Sequence, residues 1–232
     1  MKMPTHVKPI PALLLFIIGI LFAFTLSILS AWADYEASSY GFPNRASTLL
    51  TGLNCPILMT RNETQTVSIK IANRTKLELS PSARIDISTA HDPITYNEIF
   101  YIATGDSRLL QWTIGPENID YGRFIFANVL IYSTYPLPDR ENTCGVFVLP
   151  IDGNGQLIFI LATIISILCI GSGAYFLQRS TLSSKHKRPA LFLTPAIFLT
   201  MIVSFMGLWI QAILLIAITV LAIFTILSSL LS

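Results

Sequence analysis

The chain has 232 residues, only 12% of them charged and 53% hydrophobic, with a formal net charge of +2. This balance excludes an ordinary soluble globular protein and gives no basis for a nucleic-acid partner. All 13 acidic residues lie between Asp34 and Asp152 with nine bases, a local charge of −4; the remaining six bases, with no acid, make +6. Long uncharged apolar stretches flank that polar window, so the lipid bilayer is the first partner the sequence implies.

Residues 1–9 contain Lys2 and Lys8 and read as a cytoplasmic N-terminus, because Lys and Arg beside a spanning segment favour that side. Residues 10–33 carry no charge and exceed the ~20 residues needed to cross a bilayer. Two readings of this stretch stand. Ala31-Trp32-Ala33 fits the cleavage site of a signal peptide, whereas the apolar core Ala12 to Ser30 is longer than the roughly 7–15 residues usual in one. Gly19, Ala23, Ser27 and Ser30 fall on one helix face, and such faces let membrane helices pack closely. Retention gives a signal anchor and four helices, cleavage three.

Residues 34–152 read as an extracytoplasmic domain. Thr66 to Asn73 alternates, with Val67, Ile69 and Ile71 on one face, the pattern of a half-buried strand. Further strands are expected near Leu53 to Met59 and at Ala83 to Ser88, Glu98 to Ala103, Arg108 to Ile114, Arg123 to Ser133 and Thr143 to Leu149. Turn-rich pieces such as His91-Asp92-Pro93 and Thr104-Gly105-Asp106 separate them. About seven strands with no helical pattern between them favour an antiparallel β-sandwich. Tyr121, ahead of the strongest late strand, is either a tyrosine corner or a plain turn aromatic.

Residues 156–177 form a second candidate transmembrane helix, with Ala162, Ser166, Cys169 and Gly173 on one face. Residues 178–189 are a basic cytoplasmic loop containing Arg179, Lys185, Lys187 and Arg188. Its cluster sets topology and attracts anionic lipid. The apolar run after it would be about 60 Å long as one helix, twice the hydrocarbon thickness, so it folds back on itself. Spans at 190–207 and 210–231 follow, joined at Gly207 to Gln211, with Ala196, Thr200, Ser204 and Gly207 as a third small-residue face. The C-terminus returns to the cytoplasm, and the whole reads as a multi-pass protein of the cell membrane.

Cys55 and Cys144 are the cysteines of the external window, and an oxidising compartment permits a disulfide between them. Cys169 reads as helix packing. The search for chemistry finds no catalytic, cofactor-binding or metal-binding set. His91 has Asp92 beside it but reads as a turn with Pro93. His6 and His186 belong to the opposite side of the membrane. Nucleophile-elbow, zinc-protease and phosphate-loop patterns are absent. Asp152-Gly153-Asn154-Gly155 lacks the later ligands of a calcium loop and reads as a flexible hinge. The sequons at Asn62 and Asn73 read as strand-edge polar residues, and no ionisable group within the expected spans marks an ion pathway.

Glu63 to Thr75, followed by Gly105-Asp106-Ser107-Arg108-Leu109-Leu110-Gln111-Trp112-Thr113-Ile114, resembles the strand and turn grammar of bacterial immunoglobulin-like cell-surface modules. The resemblance covers Asn54 to Leu149 and concerns fold only. It implies an immunoglobulin-like sandwich anchored by helices, a layout similar to small multi-pass membrane proteins of bacteria, and it implies no activity. A single module between membrane segments departs from long multi-domain adhesins.

The expectation is therefore a membrane α-helical bundle plus an all-β external domain. Its work is non-enzymatic, structural or partner-binding, without a cofactor. Tyr96, Tyr132, Tyr135 and Trp112 are candidate contact aromatics. Two alternatives stand beside it: an accessory subunit of a larger membrane complex, bound through the bundle or the domain, and a membrane-bound enzyme in which Asp92, Asp106 and Asp120 converge in one cleft.

Overall fold

The structure, a computed structural model, describes the backbone of residues 9–132, 135, 137–180 and 184–231. It divides into two compact units, residues 1–31 with 157–232, and residues 32–156. The N-terminal segment 1–8 and the strand-end residue Ser133 lie outside the described residues.

Among the described residues the first unit is helical. It comprises α1 (Pro9–Ser39) as far as Ala31, α2 (Gly155–Arg179) from Leu157, α3 (Ser184–Phe205) and α4 (Trp209–Leu231). Two of these are long and apolar enough to cross a membrane, over Ile10–Ser39 and Gly155–Arg179; the apolar parts of the others, Phe192–Phe205 and Trp209–Phe224, are shorter. The bounds correct the expected ones. α1 continues past Ala33 to Ser39, and α3 starts at Ser184, so the basic residues expected in a loop are helical. A reading by charge ends a helix where polarity begins, whereas helix propensity, high for Lys and Arg, does not stop there.

Small residues let these helices touch. A Cβ on Gly19 would lie 2.7 Å from the Ile170 backbone nitrogen, and one on Gly173 would lie 2.7 Å from that of Phe16. The Ser166 hydroxyl donates to the Gly19 carbonyl (2.9 Å), Ser204 to that of Ser27 (2.8 Å) and Ser30 to that of Ser204 (3.1 Å). Ala23 and Thr200 are also buried, while Ala162, Cys169 and Ala196 are half-buried. Gly207 is not a packing residue. It is exposed at φ +72°, in the turn between α3 and α4, where only glycine is unstrained.

The second unit holds two sheets. Its strands are β1 (Thr48–Leu49), β2 (Leu53–Asn54), β3 (Leu58–Thr60), β4 (Gln65–Ala72), β5 (Ser82–Ile87), β6 (Ile94–Ile99), β7 (Ser107–Ile114), β8 (Phe124–Tyr132) and β9 (Arg140–Leu149). One sheet runs β1-β9-β8-β5-β6 with β3 also on β9; the other runs β2-β4-β7. They share one core, in which Val67, Ile69 and Leu110 from the smaller sheet meet Ile85, Val129 and Val146 from the larger. β1 and β3 pair parallel to β9, so the larger sheet is mixed rather than antiparallel. Two- and three-residue strands have no periodicity to read, which is why β1 was unexpected. β6 was expected at Glu98 to Ala103 but starts directly after Pro93, and beyond it only a Leu79–Ile102 bridge continues. The disulfide Cys55–Cys144 joins the segment after β2 to β9 across 89 positions, a closure worth about 4–5 kcal/mol in the chain-entropy model.

β8 is buried along almost its whole length because it is apolar on both faces. Ile125 and Val129 face the core, and Phe124 and Phe126 face away from it. Residues Trp32–Ser39 cover that outer side: Trp32 lies 5.4 Å from the Phe124 ring and 6.0 Å from Phe147, and Ala33 and Ala37 are buried. The Gly145 amide donates to Asp34 at 3.0 Å. A Cβ on Gly145 would fall 1.9 Å from the Ala33 carbonyl oxygen, which belongs to rigid backbone. Gly145→Ala is therefore expected to destabilise the β unit by about 1–3 kcal/mol. Gly171→Ala, where a Cβ meets nothing within 4 Å, is expected to be neutral or better in the same thermal-unfolding comparison.

Candidate functional site

A cleft of about 620 Å³ opens on the outer side of the larger sheet, between the segment after α1 and the loop joining β5 to β6. Tyr40, Phe42 and Tyr121 bring aromatic rings to it, Arg45, Arg84, Asp86 and Asp120 bring charge, and His91 and Thr95 lie along it.

The floor is built on β5. Alternation turns Ile85 and Ile87 into the core and Asp86 outward, where it is nonetheless buried. Arg45 donates to Asp86 at 2.7 Å, and Arg84 at 3.1 Å. The Thr95 hydroxyl, on the neighbouring β6, donates to the same carboxylate. Burial alone would push the Asp86 carboxyl up, but the hydrogen bonds from Thr95, Arg45 and Arg84 together outweigh it, and the group sits below its ordinary value. Arg45 is itself placed by Glu141, whose carboxylate accepts the backbone N–H groups of Arg45 (2.7 Å) and Ala46 (3.0 Å).

The far wall is the turn ahead of β8. Asp120 accepts the Tyr121 amide and the Tyr40 hydroxyl, both at 2.7 Å. Burial first, then this bond and the nearby negative charges, push the Tyr40 hydroxyl well above the usual tyrosine range, so it acts as a donor and not as a base. Tyr121 stands at φ +47°, the one non-glycine residue with positive φ among those described, and is 63% exposed. It is a turn aromatic rather than a tyrosine corner. Holding a side chain in the left-handed region costs about 1–2 kcal/mol.

His91 lies at the exposed rim in a turn closed by Thr89, whose hydroxyl accepts the His91 amide (3.2 Å) and donates to the Asp92 carbonyl (2.8 Å). Asp120 lines the cleft, but Asp106 caps the start of β7 through the Ser107 amide. Asp92, Asp106 and Asp120 therefore do not all line this cleft, and no cluster of three metal-ligating side chains occurs among the described residues. Tyr96 and Tyr135 are exposed, Tyr132 is half-buried and Trp112 packs against the core, all outside this cleft.

Two other readings change. Residues 152–155 are not a free hinge: the Thr60 hydroxyl donates to the Gly153 carbonyl (2.7 Å), the Gly155 amide to Glu63 (2.7 Å) and the Asn62 amide to Asp152 (2.6 Å). Asn73 is buried, and its side chain braces the loop that follows β4. Sequence alternation located Asp120 and Tyr121 but missed Tyr40 and Arg45. These lie on a segment without periodicity, and only long-range contacts bring them to the sheet.

No family model matches the chain, and no curated protein matches it. Weak likenesses exist to solved structures. The CARDB domain of a Pyrococcus furiosus protein in complex with di-metal ions is 11% identical over 47% of this chain and 100% of that one, at a TM-score of 0.35. A β-glucosidase from Listeria innocua is 12% identical over 45% of this chain, at 0.30, and a Paenibacillus cycloisomaltooligosaccharide glucanotransferase 14% over 47%, at 0.35. The chain spans 15% of the length of each of these two enzymes. Likenesses of this size assign no role to any residue.

Asp86 gives this site a pH signature. Its folded value lies below the unfolded one, so its contribution is present above the ordinary carboxylate value of about 3.9 and is lost as pH falls through the folded value. Asp86→Asn is expected to lower stability by about 1–3 kcal/mol at pH 7, and that difference is expected to shrink as pH is lowered below about 3.9, as read by denaturant unfolding over a series of pH values. Tyr121→Gly, which relieves the left-handed strain, is expected to raise stability by up to about 1 kcal/mol.

Proposed function

We propose that the chain is a non-enzymatic, multi-pass integral membrane protein that presents an immunoglobulin-like β-sandwich on the extracytoplasmic side for structural or partner-binding work. The observation that carries the membrane reading is the aliphatic outer surface of the helical unit. Leu13, Ile17, Leu21, Leu161, Ile165 and Leu168 are exposed, while Ser27, Ser30, Ser166 and Ser204 are buried with Phe16, Ile170 and Ile197. A helical unit in water would carry polar residues on that outer surface, whereas apolar lipid accepts aliphatic ones.

Strand order supports the immunoglobulin-like reading. A sheet β2-β4-β7 facing a sheet that places β9 and β8 beside β5 and β6 has the pattern of ABE against GFCC′ in such sandwiches. The parallel β1 and β3 on β9 extend that sheet. The cleft formed by Tyr40, Arg45, Asp86 and Tyr121 is the surface offered for recognition.

The first helix is retained in this reading. Cleavage after Ala33 would remove Trp32 and Ala33, which cover Phe124 and Phe147. Two measurements test the proposal in intact cells, in a Cys169→Ser background. A membrane-impermeant maleimide is expected to label Glu98→Cys from outside, and to label Gln178→Cys only after permeabilisation; the reverse pattern would reject the orientation. The mass of the purified chain is expected to include residues before Asp34, and an N-terminus at Asp34 would reject retention.

A further inference from the structure

A second cleft in the β unit, about 420 Å³ in volume, differs from the first in its charge. Lys70, Arg74 and Arg140 line it together with Thr51, Thr75 and Leu137, and no acidic residue does. This occurs within a window that carries four more acids than bases. In the first cleft two arginines are balanced by Asp86 and Asp120; here the three cations have no counter-charge in the lining.

The walls are held in place by buried or backbone bonds. Arg74 and Thr75 follow β4 on a loop organised by Asn73, which is 2% exposed. Its carbonyl oxygen accepts the Thr75 amide (3.0 Å) and hydroxyl (2.7 Å), and its amide donates to the carbonyls of Leu77 (2.7 Å) and Ile102 (3.2 Å). The opposite wall, Leu50-Thr51, is fixed to β9 by the Leu50 amide on the Glu141 carbonyl (2.9 Å) and by the Asn142 side chain on the Leu50 carbonyl (3.0 Å). Arg140 opens β9. The cations therefore stand on three separately anchored pieces of backbone, which reduces the ordering cost of binding.

We infer that this cleft is a binding site for an oxyanion group, a phosphate or sulfate, on a soluble ligand or partner. Two guanidinium forks match oxyanion geometry, and a lysine adds a point charge. The inference rests on the reading of the β unit as a recognition module. Its test involves no topology, so the two can fail separately.

The test uses the full chain in nanodiscs of neutral phosphatidylcholine, titrated with inorganic pyrophosphate by calorimetry at fixed ionic strength. Saturable binding is expected, and the exposed-site variant Lys70→Gln/Arg74→Gln is expected to weaken it at least about tenfold with an unchanged unfolding temperature. Arg61→Gln, an exposed cation outside the cleft, should bind as the parent does. No saturable binding by the parent overturns the inference. So does binding that survives in the double variant, or that falls equally in Arg61→Gln.

Discussion

At Gly145 the backbone of α1 meets the backbone of β9 with no side chain between them. This approach lets Trp32, Ala33 and Ala37 lie on a sheet whose outer face carries Phe124, Phe126 and Phe147. Leaving three phenylalanines uncovered would cost about 4.5–9 kcal/mol at 1.5–3 kcal/mol each, comparable with the whole stability of a typical domain, about 5–15 kcal/mol. The β unit is therefore not complete at its strands. It includes the last two turns of the helix that precedes them, and the segment leaving that helix supplies Tyr40 and Arg45 to the cleft.

The same constraint explains why charge is placed as it is. With the outer face of β8 and β9 covered by apolar contacts at one end, polar groups on that face gather at the other, where Asp86 holds Arg45, Arg84 and Thr95 together. Removing any one of these leaves an under-compensated buried charge, which is costlier than the pair is favourable. The helical unit differs at its surface, which is aliphatic. Its interior mixes large apolar side chains such as Phe16, Ile170 and Ile197 with small and hydroxyl-bearing ones, and the hydroxyls of Ser30, Ser166 and Ser204 each find a backbone carbonyl on a facing helix.

Most of this fold was legible where a pattern is local. The alternation of β4, the turn at His91-Asp92-Pro93 and the small-residue faces of the helices all depend on neighbours a few positions apart. The parallel pairing of β1 and β3 with β9 was not legible, since it joins residues about 90 apart and the strands have two and three residues. The site was half legible. Asp120 and Tyr121 announce a turn, but the charge balance of the first cleft and the unbalanced cations of the second arise from segments that no spacing rule links.

Composition by itself determined that a polar window is framed by apolar segments, because charge and hydropathy are properties of each residue wherever it lies. It also determined the cysteine pair, Cys169 lying outside that window. Tertiary structure alone decided that the window begins inside a helix, that Gly145 rather than any other glycine is the point of closest approach, and which cations share a cleft. Those facts depend on the distance between residues far apart in sequence, and distance is settled only when the two sheets close on a common core.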